Sequence, residues 1–371
     1  MTFEQLNISA SLIKGLNELN IIKPTEIQVK AIPVLIKYDG DFVGQAQTGT
    51  GKTAAFGLPI LENIEAENPK IQAIVLSPTR ELAQQIAKQL FKFTKYASKK
   101  IFVEAVYGGE KIEVQISALQ RPTQILVATP GRLIDLLNRK VIDLSRVTTV
   151  VLDEADEMLS MGFKPDMDEI LSHTVNRKNL WLFSATISDG IQQIIDTYMQ
   201  ADVPCVKVEK KDVVNTAIAH QYLVADIPQK LNVLLKFLKT QQEARGIIFC
   251  KTKAAAQNLA QQLIAKNIAA DALHGDLGQR DREKVMRAFK NEKLKILIAT
   301  DVAARGIDVH DLAYIVQYQL PEQIEYYTHR SGRTGRAGKK GISLTFILPH
   351  EGAKITKLEN ELHINFEKVD F

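Results

Sequence analysis

Cysteine is nearly absent. Cys205 and Cys250 are the only two in 371 residues, and neither belongs to a CxxC pair. A disulfide framework, a structural zinc site and a dithiol redox centre are therefore excluded. A reducing cytosol, and hence a cytoplasmic location, suits such a chain. No apolar run approaches the roughly 20 residues that a membrane span needs. The opening residues Met1-Thr2-Phe3-Glu4-Gln5 carry no basic n-region and no apolar h-region, so no signal peptide is expected. Charge of one sign is not in excess: 47 Lys and Arg against 43 Asp and Glu leave +4. That balance does not demand a nucleic-acid partner, although a clustered basic surface is compatible with one. Short repeats and low-complexity tracts are also missing, which excludes a solenoid.

What is present is ordinary for a globular chain: 45% hydrophobic and 24% charged residues. At about 150 residues per domain the length suggests two domains, each able to bury a sizeable core. The dominant rhythm is a short apolar run, a turn, then a helical pattern. In the first half it predicts strands at 41–46, 71–77, 102–107, 124–128, 148–152 and 180–183. Between them, 80–93 places Leu82, Ile86, Leu90 and Phe93 on one helical face. The second half repeats the rhythm, with strands expected at 246–250, 269–273, 295–299, 313–316 and 342–347. Strands alternating with helices imply α/β architecture, a mainly parallel sheet covered on both faces. Lys207-Val208-Glu209-Lys210-Lys211-Asp212 is charged and aperiodic. It places a flexible linker at 207–217, between domains at 1–206 and 218–371.

Three segments carry chemistry. Ala46-Gln47-Thr48-Gly49-Thr50-Gly51-Lys52-Thr53 follows a strand and opens a helix, the context a phosphate loop requires. Its glycines let backbone N–H groups converge on phosphate oxygens at a helix N-terminus. Lys52 would reach the β and γ phosphates and the Thr53 hydroxyl would ligate Mg²⁺. The plain alternative is a Gly-rich turn that merely begins a helix. Asp153-Glu154-Ala155-Asp156 stands at the carboxyl end of Thr149-Val150-Val151-Leu152, the sheet edge where ligands bind in open α/β folds. Asp153 suits Mg²⁺ coordination, and Glu154 suits orienting or deprotonating an attacking water. The alternative here is a helix N-cap. In the other half, His329-Arg330-Ser331-Gly332-Arg333-Thr334-Gly335-Arg336 offers forked donors for a phosphoryl group. A solvated basic turn or a phosphate-backbone contact is its alternative, and Lys339 and Lys340 fit that better.

Two more loops end strands and begin helices: Ser77-Pro78-Thr79-Arg80-Glu81 and Thr129-Pro130-Gly131-Arg132. Thr79 and Thr129 can cap, and Pro130 suits a first helical position. Free N–H groups with Arg80 and Arg132 make further anion sites. Because one nucleotide already occupies the phosphate loop, extra anion sites suggest a polyanion, held by its backbone without sequence readout. Taken singly, each loop also reads as ordinary capping beside surface arginines.

Together these segments resemble the DEAD-box RNA helicases of helicase superfamily two, from Phe3 to Gly338. The resemblance implies two tandem RecA-like domains, ATP and Mg²⁺ as cofactors, and RNA, single-stranded or short duplex, as partner. Asn20 to Gln28 looks like the family's Q motif, with Phe3 as its upstream aromatic, which implies that Gln28 reads adenine. Thr48, Gly49, Thr50, Gly51, Lys52 and Thr53 would bind the nucleotide, with Asp308 on the ribose. Lys52, Asp153, Glu154, Arg333 and Arg336 would form the catalytic set, the arginines at the γ-phosphate. Arg80, Gly108, Gly109, Thr129 and Arg132, with Thr252, Gln279, Arg282 and Thr300 in the second half, would grip the RNA backbone. Ser184-Ala185-Thr186, Asp156 and His329 would couple hydrolysis to strand separation, with Arg330 beside His329 at the domain interface. The match departs at Ile21, where the family commonly carries an aromatic ring that packs on adenine. It also departs at Ser331, often Ile in the family, a change expected to matter little. The chain stops soon after the second half, as either a minimal enzyme or a shortened piece of a longer one.

The leading expectation is an RNA-stimulated ATPase that separates short duplexes locally and non-processively by domain closure. An ATP-gated RNA clamp or chaperone would use the same residues. A translocating DNA helicase fits the Q motif and the Asp-Glu-Ala-Asp tetrad poorly. A phosphate-loop metabolic kinase would leave the second half without a purpose.

Overall fold

The computed structural model describes residues 1–47, 49–208, 217–304, 309, 312–321, 324–335 and 340–371, with only the backbone of 279, 302 and 325. Thr48, Asp308 and Arg336, the Gln279 side chain, 305–307, Lys339 and linker residues 209–216 therefore lie outside the described residues. The chain divides into two compact units, Met1–Glu209 and Lys210–Phe371.

The first unit is built on seven strands: β1 (Phe42–Gln45), β2 (Ala73–Leu76), β3 (Val103–Val106), β4 (Ile125–Ala128), β5 (Thr149–Asp153), β6 (Asn179–Ser184) and β7 (Cys205–Lys207). They pair in the order β3-β4-β2-β5-β6-β1-β7, every pair parallel. Parallel neighbours need a crossover, and helices supply it. Both faces are covered, so the inner strands read as unbroken apolar runs. In β2, Ala73 and Val75 enter one core while Ile74 and Leu76 enter the other. All four are fully buried or nearly so, and each Ile, Val or Leu buried in this way is worth about 1.5–3 kcal/mol. The helix Arg80–Phe93 buries Ala83, Ile86, Ala87, Leu90 and Phe93, while Leu82 of the expected face is only partly buried against the same core.

The second unit holds β8 (Ile218–Val224), β9 (Gly246–Phe249), β10 (Ala270–Leu273), β11 (Ile296–Ala299), β12 (Tyr314–Gln317), β13 (Gly341–Ile347) and β14 (Glu367–Lys368). Their order is β10-β11-β9-β12-β13-β8-β14, again all parallel. Renumbered from its own first strand, this is the order of the first sheet. The halves are two copies of one topology, in which β8 takes the place of β1 and β14 that of β7. Every strand the sequence predicts is present. Three others escaped it: β7, β8 and β14. One correction concerns the linker's start. Lys207 closes β7 opposite Gln45 and so belongs to the first sheet, and Val208 N–H ties the chain just beyond it to Gln45 O at 2.9 Å.

Among the described residues, no helix is long and apolar enough to cross a membrane.

Candidate functional site

Since all strands of the first sheet are parallel, their carboxyl ends share one edge. Read along the sheet, that edge carries Gly108 after β3, Thr129 after β4, Ser77 to Thr79 after β2, Asp153-Glu154 at β5, Ser184 to Thr186 at β6, and the loop 46–51 after β1. The glycine loop, the paired acids and the serine–threonine loop thus follow neighbouring strands. The loops with spare anion-binding character follow the other three.

The glycine loop is held by Gln28. Helix Glu26–Lys37 begins with a capping box in which Thr25 N–H donates to Gln28 Oε1 at 3.0 Å. Gln28 is 2% exposed and its Nε2 donates to Gly51 O at 2.9 Å. These two bonds use one of its two amide hydrogens and one of its two carbonyl lone pairs. Gly51 has φ +92°, and a Cβ there would collide with the Gln28 amide, so glycine is required twice over. Gly49 is also left-handed, at φ +80°, and Thr50 Oγ1 donates to Gln47 O at 2.7 Å. The buried Lys52 then opens helix Lys52–Asn63, with Thr53 second. Phe3 lies in the adjoining core, 2% exposed, and Ile21 packs against that core.

Asp153 ends β5, 2% exposed. Burial pushes its carboxyl up to about 7, opposed by the nearby Lys52 charge and reinforced by Glu154 and Asp156. Next to it Glu154 is left-handed, at φ 53° and ψ 50°, a conformation a non-glycine residue adopts at a cost. It occupies the N-cap position of helix Ala155–Ser160, yet its side chain makes no capping hydrogen bond. Capping therefore does not account for its carboxylate. Asp153 and Thr53 offer only oxygen donors. That is the donor chemistry of Mg²⁺, which keeps several waters and binds through one or two protein groups plus phosphates.

Asp156 joins β5 to β6. Its Oδ2 accepts from Ala185 N at 3.1 Å, Thr186 N at 3.0 Å and Thr186 Oγ1 at 3.1 Å. Asp156 N–H donates to Ser184 Oγ at 3.3 Å, and Ser184 Oγ donates to Thr186 O at 2.7 Å. The structure thus brings together the three residues expected to couple in this unit. Oδ1 is already occupied by Glu157 N–H. Asp156→Asn therefore leaves at least one donor unmatched whichever way the amide turns. The expected cost is about 1–3 kcal/mol, or about 2–4 °C of Tm for each kcal/mol in a unit of this size. A thermal melt unchanged from the parent would count against the network.

The remaining edge is more varied than the sequence suggests. Thr79 Oγ1 caps its helix by accepting from Leu82 N at 3.3 Å. Thr129 is buried but makes no capping bond. Gly109, at φ +84°, lies against the Arg80 guanidinium, which a Cβ there would strike. At Gly108 a Cβ would meet nothing within 4 Å, so only the second glycine is required by sterics. Arg132 departs from a freely presented phosphate donor. It is 9% exposed. Its Nη1 donates to Gln115 Oε1 at 2.8 Å and its Nη2 to Glu110 O at 3.0 Å. Arg132 thus braces the loop that follows Gly108-Gly109. Nothing in the sequence marks Gln115, because its role exists only through a helix brought alongside by the fold.

In the second unit the same topological places carry related residues. β9 stands where β2 does, and Thr252 caps the next helix by accepting from Ala255 N at 3.1 Å, as Thr79 does. Thr300 follows β11 as Thr129 follows β4, and both are buried. After β8, however, Ala225-Asp226-Ile227-Pro228 stands in place of the glycine loop, so among the described residues only the first unit carries such a loop after its first strand. Arg282 is 9% exposed and donates to Ala303 O at 2.8 Å. Arg330, 2% exposed, grips Asp301 with two bonds of 2.5 and 2.7 Å and donates to Gln317 Oε1 at 2.8 Å and Gln319 O at 3.0 Å. It anchors the Thr300-Asp301 turn. His329 and Arg333 lie half-buried near the end of helix Ile324–Ser331 and in the turn after it.

Comparison with known proteins agrees with this arrangement. The DEAD/DEAH box helicase family matches residues 25–194, and the helicase conserved C-terminal domain matches residues 229–338. A DEAD-box ATP-dependent RNA helicase CshA of Geobacillus kaustophilus is 42% identical over 99% of this chain and 78% of its own length. Its Bacillus subtilis counterpart is 43% identical over 97% and 72%. Among solved structures, S. cerevisiae Dbp5 bound to RNA and ADP BeF3 superposes with a TM-score of 0.90, at 31% identity over 99% of this chain and 95% of that one. The DEAD-box helicase Mss116 bound to ssRNA and UDP-BeF gives 0.89 at 29% identity, over 100% and 81%. The two seven-stranded sheets are thus tandem RecA-like folds, and the chain belongs to the DEAD-box ATP-dependent RNA helicases.

Proposed function

We propose that the chain hydrolyses ATP in response to RNA and uses the cycle to separate short RNA duplexes locally, by closing its two units on nucleotide and strand. The observation that carries this reading is the order along the first sheet's carboxyl edge, with a phosphate cradle and paired acids beside loops suited to a polyanion. Lys52 and the loop N–H groups hold the β and γ phosphates, and Gln28 meets the adenine edge with its remaining donor and acceptor. Asp153 and Thr53 hold Mg²⁺, which when bound neutralises phosphate charge. Glu154 orients the attacking water and takes its proton. From the second unit Arg333 and Arg336 steady the charge on the departing phosphoryl group, while Asp308 takes the ribose. Arg80, Gly109, Thr129, Thr252, Gln279, Arg282 and Thr300 track the RNA backbone, with Arg132 acting through the loop it braces. His329 and the Asp156 network transmit the chemical step. With free thiols at Cys205 and Cys250, the reducing cytoplasm is the fitting compartment.

The test compares steady-state ATPase with single-stranded RNA and with DNA of matching sequence. Recognition of 2′-hydroxyls predicts strong stimulation by RNA and little by DNA. Binding through phosphates predicts little sequence preference and a log–log salt slope near −0.7 per phosphate contacted. Equal stimulation by the two strands at moderate salt would sink the RNA-specific reading. A strand-displacement assay that shows tight ATP-dependent RNA binding without duplex separation would favour a clamp.

A further inference from the structure

A buried polar seam runs beneath the arginine segment. Helix Ile324–Ser331 ends at Ser331, and the chain turns there through Gly332 N–H to Thr328 O at 2.8 Å and Arg333 N–H to Arg330 O at 3.1 Å. Ser331 is 2% exposed. Its Oγ lies 2.9 Å from Ser343 Oγ on β13 and accepts from Gln317 Nε2 on β12 at 3.3 Å. Neither Gln317 nor Ser343 has exposed surface. The seam continues on both sides. Tyr327 OH stands 3.4 Å from Ser343 Oγ and 2.5 Å from His220 Nδ1 on β8. On the other side, Gln317 Oε1 receives the Arg330 guanidinium that grips Asp301. One hydroxyl therefore pins the last helical turn to two strands.

We propose that Ser331 is a positioning residue for the reaction. It seats the end of helix Ile324–Ser331 on β12 and β13, and so fixes where the backbone delivers Arg333. This rests on the reading of Arg333 as a γ-phosphate ligand. The reason is chemical as well as steric. A hydroxyl has one donor and two lone pairs, enough to serve Gln317 and Ser343 at once. An apolar side chain would take the acceptor from Gln317 Nε2 and leave the buried Ser343 hydroxyl with only the longer contact to Tyr327 OH, and moving the turn is the way to relieve them. Because Arg333 begins two residues later, a small shift there misaligns its fork. Misplacement of a catalytic group by about 1 Å can cost about a hundredfold in rate.

The test uses the full chain with Ser331→Ile, Ser331→Thr, Ser331→Ala, Ser343→Ala and the double alanine variant. Steady-state ATP hydrolysis is read at saturating single-stranded RNA, together with KM for ATP, RNA affinity and thermal unfolding. Ser331→Ile should lower RNA-stimulated kcat about tenfold, with KM and RNA affinity unchanged. Ser331→Thr, which restores the hydroxyl, should return kcat toward the parent. The double alanine variant should lose less than the two singles combined, since removing both partners leaves fewer groups unmatched. If Ser331→Ile does not fold, Ser331→Ala carries the same kcat comparison. A folded variant without the hydroxyl that keeps parental kcat overturns the proposal. So does a loss that Thr fails to rescue and that follows thermal stability alone. A parent chain that RNA does not stimulate would instead overturn the functional reading on which the proposal rests.

Discussion

In Glu154→Gln, RNA-stimulated kcat should fall by about 10² to 10⁴, the usual contribution of a positioned general base, while ATP remains bound. The substitution keeps the size of the side chain and removes its ability to take a proton. The backbone should tolerate it, because glutamine meets the same left-handed cost at φ 53° that glutamate already meets. Helix Ala155–Ser160 should tolerate it too, since the carboxylate makes no capping bond that could be lost. The parts assigned to nucleotide binding are untouched. Gln28 still braces Gly51, and Lys52 still opens its helix. ATP and RNA should therefore be trapped together in a long-lived complex. Steady-state hydrolysis beside equilibrium nucleotide binding checks this. Near-parental turnover would reduce Glu154 to a backbone cap.

Arg333→Lys should lower RNA-stimulated kcat by about 10³ to 10⁵, the range typical of an arginine finger. Lysine keeps the charge but not the planar fork, so it should not rescue. Arg336→Lys should behave in the same way. Nucleotide affinity should change little, because the only phosphate cradle among the described residues belongs to the first unit. RNA affinity without nucleotide should also persist. The first unit expressed alone should bind ATP and fail to hydrolyse it appreciably. If instead the lysine variants weaken RNA binding uniformly and leave hydrolysis per bound RNA intact, the arginines are backbone clamps and the catalytic assignment fails.

The predictable parts of this fold are those where local pattern and burial agree. Runs such as Ala73 to Leu76 and Ile296 to Ala299 are buried on both faces, so they announce themselves as strands. β8 does not, because His220, Gln221 and Tyr222 interrupt its apolar run while the sheet buries His220 through long-range contacts. β7 and β14 are short edge strands with exposed residues, and only their partners define them. The site divides in the same way. Glycine spacing and acids at a strand end are local signals, so the loop at Gly51 and the pair Asp153-Glu154 can be read directly. The bracing of Gly51 by Gln28, the diversion of Arg132 onto Gln115 and the pinning of Ser331 by Gln317 and Ser343 join residues distant in sequence. Ser331 looked inconsequential because a serine for isoleucine exchange says nothing about which buried groups await it.

The all-parallel pairing of the first sheet also sets a sequence of events during synthesis. No two of its strands can zip together as a hairpin, since each parallel pair needs a long crossover between its members. β1 lies between β6 and β7, with Gln45 opposite Ser184. The strand that leads into the phosphate loop is among the first made, yet it has no neighbour until β6 has left the ribosome. At elongation rates of about 5–20 residues per second that wait lasts about 7 to 28 s. The glycine loop that follows β1 is thus among the last parts of its own unit to be framed, although it is among the first to be made.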